Sequence, residues 1–206
     1  MKNYARFRQF IADFARLIEQ CGGDESIMHE RGGKLLSALV SHDDWLPDEC
    51  AQPHPQYYQQ YLLYCDPLER FSVVSFVWGP GQTTPVHDHT VWGMVGMMRG
   101  AEKCRRFTRA GHSKPMESGE PYKLMPGDVD NISPRIGDVH EVANALDDRP
   151  SISIHVYGAN IGAVARHVFD PATGAAKPFV SGYSLPVIPN FWDRSADVRA
   201  TLQQTA

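Results

Sequence analysis

The chain has 206 residues, of which 42% are hydrophobic and 21% are charged, and its formal net charge at pH 7 is −4. This length suffices for one domain with a buried core, residues 1–206, and these fractions exclude a disordered chain. Because the basic residues are scattered, the sequence predicts neither a nucleic-acid-binding face nor a polybasic patch for a membrane surface.

Helices are predicted in the N-terminal part of the chain. Apolar residues recur at three- and four-residue spacings within residues 7–18, and Gly22-Gly23 ends this pattern. A second helical segment is predicted over residues 24–39, with Gly32-Gly33 as a candidate break, and residues 54–64 are predicted to form a third, short helix. The apolar side of these helices is expected to pack on a sheet.

After the predicted helical segment, residues 1–66, the pattern changes to short strands. FSVVSFVW (71–78) is rich in β-branched and aromatic residues and ends at the turn Gly79-Pro80-Gly81. Further short runs follow, each bounded by Gly, Pro, Asn or Asp: TVWGMVGMM, EKCRRFTR, YKLM, HEVANAL, SISIHVYGAN and RHVFD. This spacing predicts an antiparallel sandwich or barrel over residues 70–170. The tail, residues 171–206, is rich in Gly, Pro and Ser and is expected to wrap the barrel as irregular chain.

The cysteines and the N-terminus predict where the protein resides. The four cysteines are far apart and form no CxxC pair, which is a poor basis for a disulfide framework. The start of the chain is amphipathic rather than a secretory signal, and no apolar run approaches the roughly 20 residues of a membrane span. We therefore expect a cytoplasmic protein, as a monomer or a small homo-oligomer.

The sharpest functional signal is the sequence PVHDHT at residues 85–90. Side chains two residues apart on a strand point to the same side, so His87 and His89 can be directed at one point. The chain has nine histidines, and a third one with a setting suited to metal ligation is His140, at the predicted start of a later strand. Three neutral imidazoles leave the charge of a divalent ion uncompensated, which suits an anionic substrate such as a thiolate. Zinc also accepts three histidines and a water, so the ligand count alone does not select the metal.

The glycines around these histidines resemble the two cupin motifs. The spacing G-x5-H-x-H-x3-G-x6-G from Gly81 to Gly100 is similar to the first motif, except that Gly93 replaces its usual Glu. The spacing G-x2-H-x3-N from Gly137 to Asn144 is similar to the second. The resemblance implies a mainly β protein, a cupin (jelly-roll) β-barrel with an N-terminal α-helical extension.

With these motifs the chain resembles the cysteine dioxygenase family of cupins. The residues that carry the resemblance are WGPGQTTPVHDHT (78–90), GDVHEVAN (137–144) and SISIHVYG (151–158). The resemblance implies Fe(2+) held by His87, His89 and His140. It also implies a small thiol and O2 as substrates and a sulfinic acid as product.

The same resemblance implies that Ser153, His155 and Tyr157 are catalytic residues beside the iron. Strand alternation puts these three on one face, and polar side chains that point into a barrel are costly unless they are hydrogen-bonded. The Tyr157 hydroxyl, held through His155 by Ser153, is expected to donate to bound oxygen or to substrate. The alternative interpretation of this row is the polar outer face of an exposed strand.

The chain departs from mammalian-type cysteine dioxygenases at two places. Gly93 stands where those enzymes carry the Cys that cross-links to the Tyr, so Tyr157 is expected to be unmodified. Residues 58–61 lack the Arg that holds the amino-acid carboxylate. Bacterial relatives similar to 3-mercaptopropionate dioxygenase use an Arg after the Tyr strand and an early Gln, which match Arg166 and Gln60 here.

These matches predict the substrate order 3-mercaptopropionate, then cysteine, then mercaptosuccinate, with Arg166 and Gln60 as substrate-binding residues. The alternative for Arg166 is a surface residue paired with Asp170, and Gln59 competes with Gln60. Two other functions stay open. Another metal-dependent cupin enzyme would use the same histidines, and a non-catalytic cupin that binds a small ligand should tolerate the loss of His140.

Overall fold

The first helix forms because its apolar side chains are spaced for one buried face. The computed structural model describes residues 2–109 and 114–204. Helix α1 (Tyr4–Cys21) buries an apolar stripe from Phe7 to Leu17. It ends at Gly22, whose φ of 55° is a left-handed conformation that glycine adopts readily. The structure confirms this predicted helix.

The second helical segment is continuous through Gly32, so the candidate break is wrong. It consists of α2 (Glu25–Ile27), a π-helical turn (Met28–Gly32) and α3 (Gly33–Val40). Asp24 caps its start, because the carboxylate accepts from the backbone N–H groups of Ser26 at 2.9 Å and Ile27 at 3.2 Å. A Cβ at Gly32 would lie 3.0 Å from the Met94 side chain. The glycine is therefore needed for close packing rather than for a turn.

The predicted third helix, residues 54–64, is wrong. After a short 3-10 helix (Asp48–Ala51), the chain forms strand β1 (Gln59–Cys65), which pairs antiparallel with β2 (Ser72–Trp78). Tyrosine-rich sequence suits a strand as well as a helix, and the neighbouring β2 supplies the hydrogen bonds of a ladder. The helical segment therefore does not extend to residue 66.

The remaining strands build two sheets. In chain order they are β3 (Val86–His87), β4 (Gly93–Arg99), β5 (Glu102–Thr108), β6 (Glu117–Ser118), β7 (Tyr122–Leu124), β8 (Val129–Ile132), β9 (His140–Asn144), β10 (Ser151–Tyr157), β11 (Arg166–Phe169) and β12 (Ala176–Phe179). The first sheet has the order β1-β2-β10-β4-β8, and the second has the order β12-β11-β3-β9-β5-β6 with β7 beside β5. Each predicted run of strand residues contains a strand. The mainly β cupin barrel with an N-terminal helical extension is confirmed.

The first sheet is buried on both faces, and this decides where its side chains point. On one face, Ile152, Ile154 and Val156 of β10 pack in the cluster that contains α1 and α3. On the other face, residues of β2 and β4 meet residues of β5, β7 and β9 inside the barrel. Alternate residues of β10 therefore enter the barrel interior, where a functional site can be built.

The tail contains regular structure, which corrects the prediction of irregular chain. Strand β12 extends the second sheet beside β11, and α4 (Ser195–Gln204) lies near the C-terminus. A 3-10 helix (Ile161–Ala163) joins β10 to β11. All four cysteines carry free thiols. Among the described residues, no helix is both long enough and apolar enough to cross a membrane.

Candidate metal centre

The three predicted histidine ligands meet inside the barrel. One ligand atom from each of His87, His89 and His140 lies within 4.8 Å of the other two, and all three side chains are buried. His87 ends β3 and stands opposite His140, which begins β9. Strand alternation does not place His89, because β3 ends at His87. Instead, the Asp138 carboxylate accepts from the backbone N–H of His89 at 3.0 Å and of Thr90 at 2.9 Å.

Hydrogen bonds to carbonyl groups fix the protonation of two of these rings. His87 Nδ1 lies 3.0 Å from the Pro85 carbonyl oxygen, and His89 Nδ1 lies 2.9 Å from that of Asp138. Because a carbonyl only accepts, each Nδ1 carries the hydrogen and each Nε2 keeps a lone pair. His140 Nδ1 is buried without a hydrogen-bond partner.

The electrostatic setting keeps the cluster neutral. Burial lowers the pKa of His87 to about 4 and holds the pKa of His89 and His140 well below the ordinary value. For His89 and His140 the neighbouring histidines add to this lowering of the pKa, since two protonated rings would repel each other. Three neutral imidazoles with lone pairs at this spacing fit a divalent metal ion.

A row of three polar side chains lies beside the cluster. Ser153 Oγ is 2.8 Å from His155 Nε2, and His155 Nδ1 is 2.7 Å from the Tyr157 hydroxyl oxygen. All three residues are buried, and the Tyr157 ring stacks on His89 with centroids 5.5 Å apart. The interpretation of this row as an exposed outer face is therefore wrong. Burial lowers the pKa of His155 to about 3 and raises the pKa of Tyr157, so both are neutral at pH 7.

Arg166 is a buried cation without an acidic partner among the described residues. Its side chain donates to Ser181 Oγ at 2.8 Å and lies over the Phe179 ring, 4.7 Å from the centroid. Its Nε is buried with no hydrogen-bond partner, and the residue is only 3% exposed. Asp170 instead accepts from Thr173 and from the backbone N–H of Ala172. The interpretation of Arg166 as a surface residue paired with Asp170 is therefore wrong.

Gln60, rather than Gln59, reaches the cavity. Gln60 Nε2 donates to Ser181 Oγ at 2.9 Å and also to the Gly182 carbonyl. Gln59 turns back to the carbonyl groups of Tyr57 and Tyr58. Ser181 therefore bridges Gln60 and Arg166. Sequence reasoning missed Ser181, because it lies in the tail and no motif marks it.

These groups line one cavity of about 190 Å³. Its wall contains the three histidines, the His155–Tyr157 pair, and Arg166 with Gln60 and Ser181. Aromatic side chains, including Tyr58, Phe76 and Trp78, form much of the remainder. None of the described residues that line the cavity is acidic. The cavity is therefore suited to a small anion whose other end reaches a metal ion.

Gly93 makes room for the Tyr157 ring. A Cβ at Gly93 would lie 2.8 Å from Tyr157 Cδ1 and 3.1 Å from Cε1. Contacts this short do not occur without a shift of one partner, so the absence of a side chain here is a packing requirement of Tyr157 as it lies.

Comparison with known proteins agrees with these features. The family model described as cysteine dioxygenase type I matches residues 58–170, more than half of the chain. Cysteine dioxygenase type 1 of Homo sapiens is 26% identical over 168 residues, which cover 80% of each chain, and that of Bos taurus is 27% identical over the same length. The range that the family model covers, residues 58–170, contains the histidine cluster, the Ser153–Tyr157 row and both Gln60 and Arg166.

Solved structures of similar proteins share less of the chain. An uncharacterized conserved protein with a double-stranded beta-helix domain from Klebsiella pneumoniae is 21% identical, with a TM-score of 0.44. The superposition covers 59% of this chain and 95% of that one. A cupin superfamily protein from Desulfitobacterium hafniense is 12% identical, with a TM-score of 0.42, and the coverage is 58% and 94%.

Proposed function

Because this chain belongs to the cysteine dioxygenase type I family, we propose that it is a thiol dioxygenase that uses Fe(II). The substrate is a small thiol that bears a carboxylate, and both atoms of O2 are transferred to sulfur (RSH + O2 → RSO2H). The preferred substrate is 3-mercaptopropionate, cysteine is second, and mercaptosuccinate is third.

The observation that carries this proposal is the Arg166 guanidinium, which has no acidic partner among the described residues and lines the same cavity as the histidine cluster. Burying a cation without a counter-ion is costly, so an anion is expected to occupy the position in front of it. The guanidinium can hold a carboxylate in a bidentate pair, which fixes orientation as well as charge. Ser181 holds the guanidinium in place, because its hydroxyl oxygen accepts hydrogen bonds from both Arg166 and Gln60.

The metal end of the cavity is formed by His87, His89 and His140. Iron(II), when bound, supplies a coordination site for the thiolate and the electrons that activate dioxygen, which redox-inactive zinc does not. The three neutral imidazoles contribute no negative charge. A thiolate substrate therefore compensates the charge of the ion, and the cavity holds sulfur and dioxygen close together.

Tyr157 is a proton donor beside this end, because its ring stacks on His89. Its pKa is raised by burial, so its hydroxyl keeps its hydrogen across the physiological range. His155 holds the hydroxyl at 2.7 Å and Ser153 holds His155 at 2.8 Å. The hydroxyl is thereby held where it can donate to the substrate or to dioxygen.

The preference for a thiol without an amine rests on the cavity wall. None of the described lining residues is a carboxylate that could pair with the ammonium group of cysteine. Transferring that ammonium from water without a partner costs free energy, whereas the deaminated analogue carries no such cost.

The test is oxygen uptake by anaerobically iron-loaded protein. 3-Mercaptopropionate, cysteine, mercaptosuccinate and cysteamine are offered in parallel, and the sulfinate is identified by its mass. Zinc-loaded protein is the matched control, because it fills the same histidines without supporting oxygen chemistry. Uptake with an equal amount of sulfinate, and preference for 3-mercaptopropionate, supports the proposal.

Two other outcomes are informative. Preference for cysteine keeps the reaction and refutes the account of selectivity. No uptake with any thiol, in protein shown to hold iron, refutes the dioxygenase proposal and favours another cupin chemistry or a binding protein.

A further inference from the structure

Glu102 is a buried carboxyl group that the proposed reaction does not yet use. It begins β5, is 0% exposed, and faces inward with Cys104 while Lys103 between them is exposed. Neither carboxyl oxygen has a hydrogen bond of normal geometry within the described chain. The Ser153 hydroxyl and the Trp78 indole N–H act on it as donors that lower its pKa, and the indole N–H also donates to Ser153 Oγ at 3.5 Å. A buried, under-satisfied carboxyl group of this kind requires an explanation.

Glu102 lies at the end of the Ser153–Tyr157 row that is remote from the metal. The contacts run from Glu102 to Ser153, from Ser153 to His155 Nε2, and from His155 Nδ1 to the Tyr157 hydroxyl. His155 is neutral, so its ring carries one hydrogen, on either Nδ1 or Nε2. The row can therefore be polarised in two opposite directions.

We propose that Glu102, in its neutral form, is the positioning residue that directs this row so that the Tyr157 hydroxyl hydrogen points into the cavity. The neutral carboxyl donates its hydrogen to Ser153 Oγ, and Ser153 donates to His155 Nε2. His155 then carries its hydrogen on Nδ1 and donates to the Tyr157 oxygen. The Tyr157 hydrogen is left free for the substrate or dioxygen, so the inference rests on the proposed function and deepens it.

Ionised Glu102 reverses every hydrogen bond in the row. A carboxylate only accepts, so Ser153 donates to it and accepts from His155 Nε2. His155 Nδ1 then accepts from the Tyr157 hydroxyl, whose hydrogen turns away from the cavity. The direction of the row thus depends on one proton at Glu102, without a change of net charge on the other three residues.

The surroundings of Glu102 stabilise its neutral form relative to that of an exposed carboxyl group, so the neutral form predominates below about pH 7. Burial raises its pKa to about 7, although hydrogen bonds from Ser153 and Trp78 oppose this. The ionisable groups on which its charge acts are Cys104 and Tyr157, whose pKa values are raised, so neither is charged at that pH. Its partners in the strand register are Leu124 of β7 and Asn144 of β9, which do not ionise.

The direct test is the position of the His155 hydrogen in metal-free protein, read by nitrogen-15 NMR of labelled histidine. The His155 signals are identified by their absence in His155→Gln. We expect the hydrogen on Nδ1 below pH 7 and on Nε2 above it, with the change following Glu102. Infrared difference spectra should show the loss of a carboxylic acid band over the same range.

Glu102→Gln separates this role from a structural one. An amide has no ionisable proton, and its NH2 group can donate to Ser153 Oγ at every pH, as the neutral carboxyl group does. This variant should therefore keep the hydrogen on Nδ1 throughout the pH range. Lys103→Gln, on the same strand but exposed, should behave as the original protein does. A His155 tautomer that does not change with pH, or that changes equally in Glu102→Gln, overturns the proposal.

The pH profile of the iron-loaded enzyme is the second readout. We expect kcat to fall about tenfold or more as pH rises past the Glu102 pKa, and this fall to be absent in Glu102→Gln. An identical fall in Glu102→Gln overturns the proposal. The NMR experiment needs neither iron nor substrate. If it shows no tautomer change, the dioxygenase proposal is unaffected. If the tautomer changes as expected but the iron-loaded protein is inactive, only the dioxygenase proposal is refuted.

Discussion

Replacing Arg166 by Met distinguishes a binding role for this side chain from a structural one. Arg166 is 3% exposed, has no acidic partner among the described residues, and keeps its Nε without a hydrogen bond. If it exists to bind a substrate carboxylate, the variant should lose activity towards carboxylate-bearing thiols. The substrate-free variant should lose little stability, because removing the guanidinium leaves no buried carboxylate without its partner.

The magnitudes follow from this geometry. A charge-assisted hydrogen bond contributes about 1.5–3 kcal/mol, so the two bonds of a bidentate pair correspond to a loss of roughly 100- to 10,000-fold in kcat/KM. Cutting a buried ion pair destabilises a fold by about 3–5 kcal/mol, whereas removing a buried charge that has no counter-ion does not. Loss of the contact with Ser181 and the Phe179 ring is offset by release from the desolvation of the guanidinium. We therefore expect the free energy of unfolding to change by less than about 1 kcal/mol.

Two assays measure these quantities. Oxygen uptake gives kcat/KM for 3-mercaptopropionate and for cysteamine, which lacks a carboxylate, and urea unfolding of the metal-free protein gives the stability. Arg149→Met is the matched control, since that side chain is 67% exposed. A loss of stability of about 3 kcal/mol or more, or an equal loss of kcat/KM for both thiols, would show that Arg166 holds the fold rather than the carboxylate.

Three further predictions test the cluster and its neighbours. His140→Ala should lower the affinity for iron about 100-fold or more, measured by metal analysis after dialysis, and unchanged affinity would exclude this residue as a ligand. Metal-free protein should lose stability as pH falls from about 6.5 to about 4, because the unfolded chain takes up a proton there and folded His87, with its pKa lowered to about 4, does not. This residue alone contributes roughly 3 kcal/mol, so urea unfolding that is flat with pH would contradict the assignment. Gly93→Ala should displace Tyr157, lower kcat about tenfold and cost about 1–3 kcal/mol of stability. Gly33→Ala is the control and should cost no stability, because the nearest contact of its Cβ would be 3.9 Å. Equal effects of the two substitutions would refute the packing argument.

Local patterns in the sequence determined most of the strands and the first helix. Each predicted run from FSVVSFVW to RHVFD contains a strand, because β-branched and aromatic residues between turn residues specify strands over a short range. The alternation in SISIHVYG also indicated correctly that Ser153, His155 and Tyr157 share one face, since the side-chain period of a strand is fixed by the backbone.

Other features depended on contacts that no local pattern contains. Residues 54–64 match a helix by themselves, and only pairing with β2 makes residues 59–65 a strand. The glycines at positions 32 and 93 look like breaks or motif positions. Glycine is needed at these positions because a Cβ would be too close to Met94 at position 32 and to the Tyr157 ring at position 93.

The residues of the candidate site also fall into two groups, those that a local sequence pattern indicated and those that only tertiary contacts revealed. The sequence by itself identified the three histidines, the Ser153–Tyr157 row and Arg166 as candidate site residues, because fixed spacings or a family pattern marked each of them. Only the tertiary structure showed that Ser181 bridges Gln60 and Arg166, and that Glu102 lies behind Ser153. Ser181 lies in the tail and Glu102 lies on β5, so neither is close in sequence to the residues that it contacts. Their role depends on which chain segments meet across the barrel, and that is decided by folding of the whole chain rather than by the sequence near each residue.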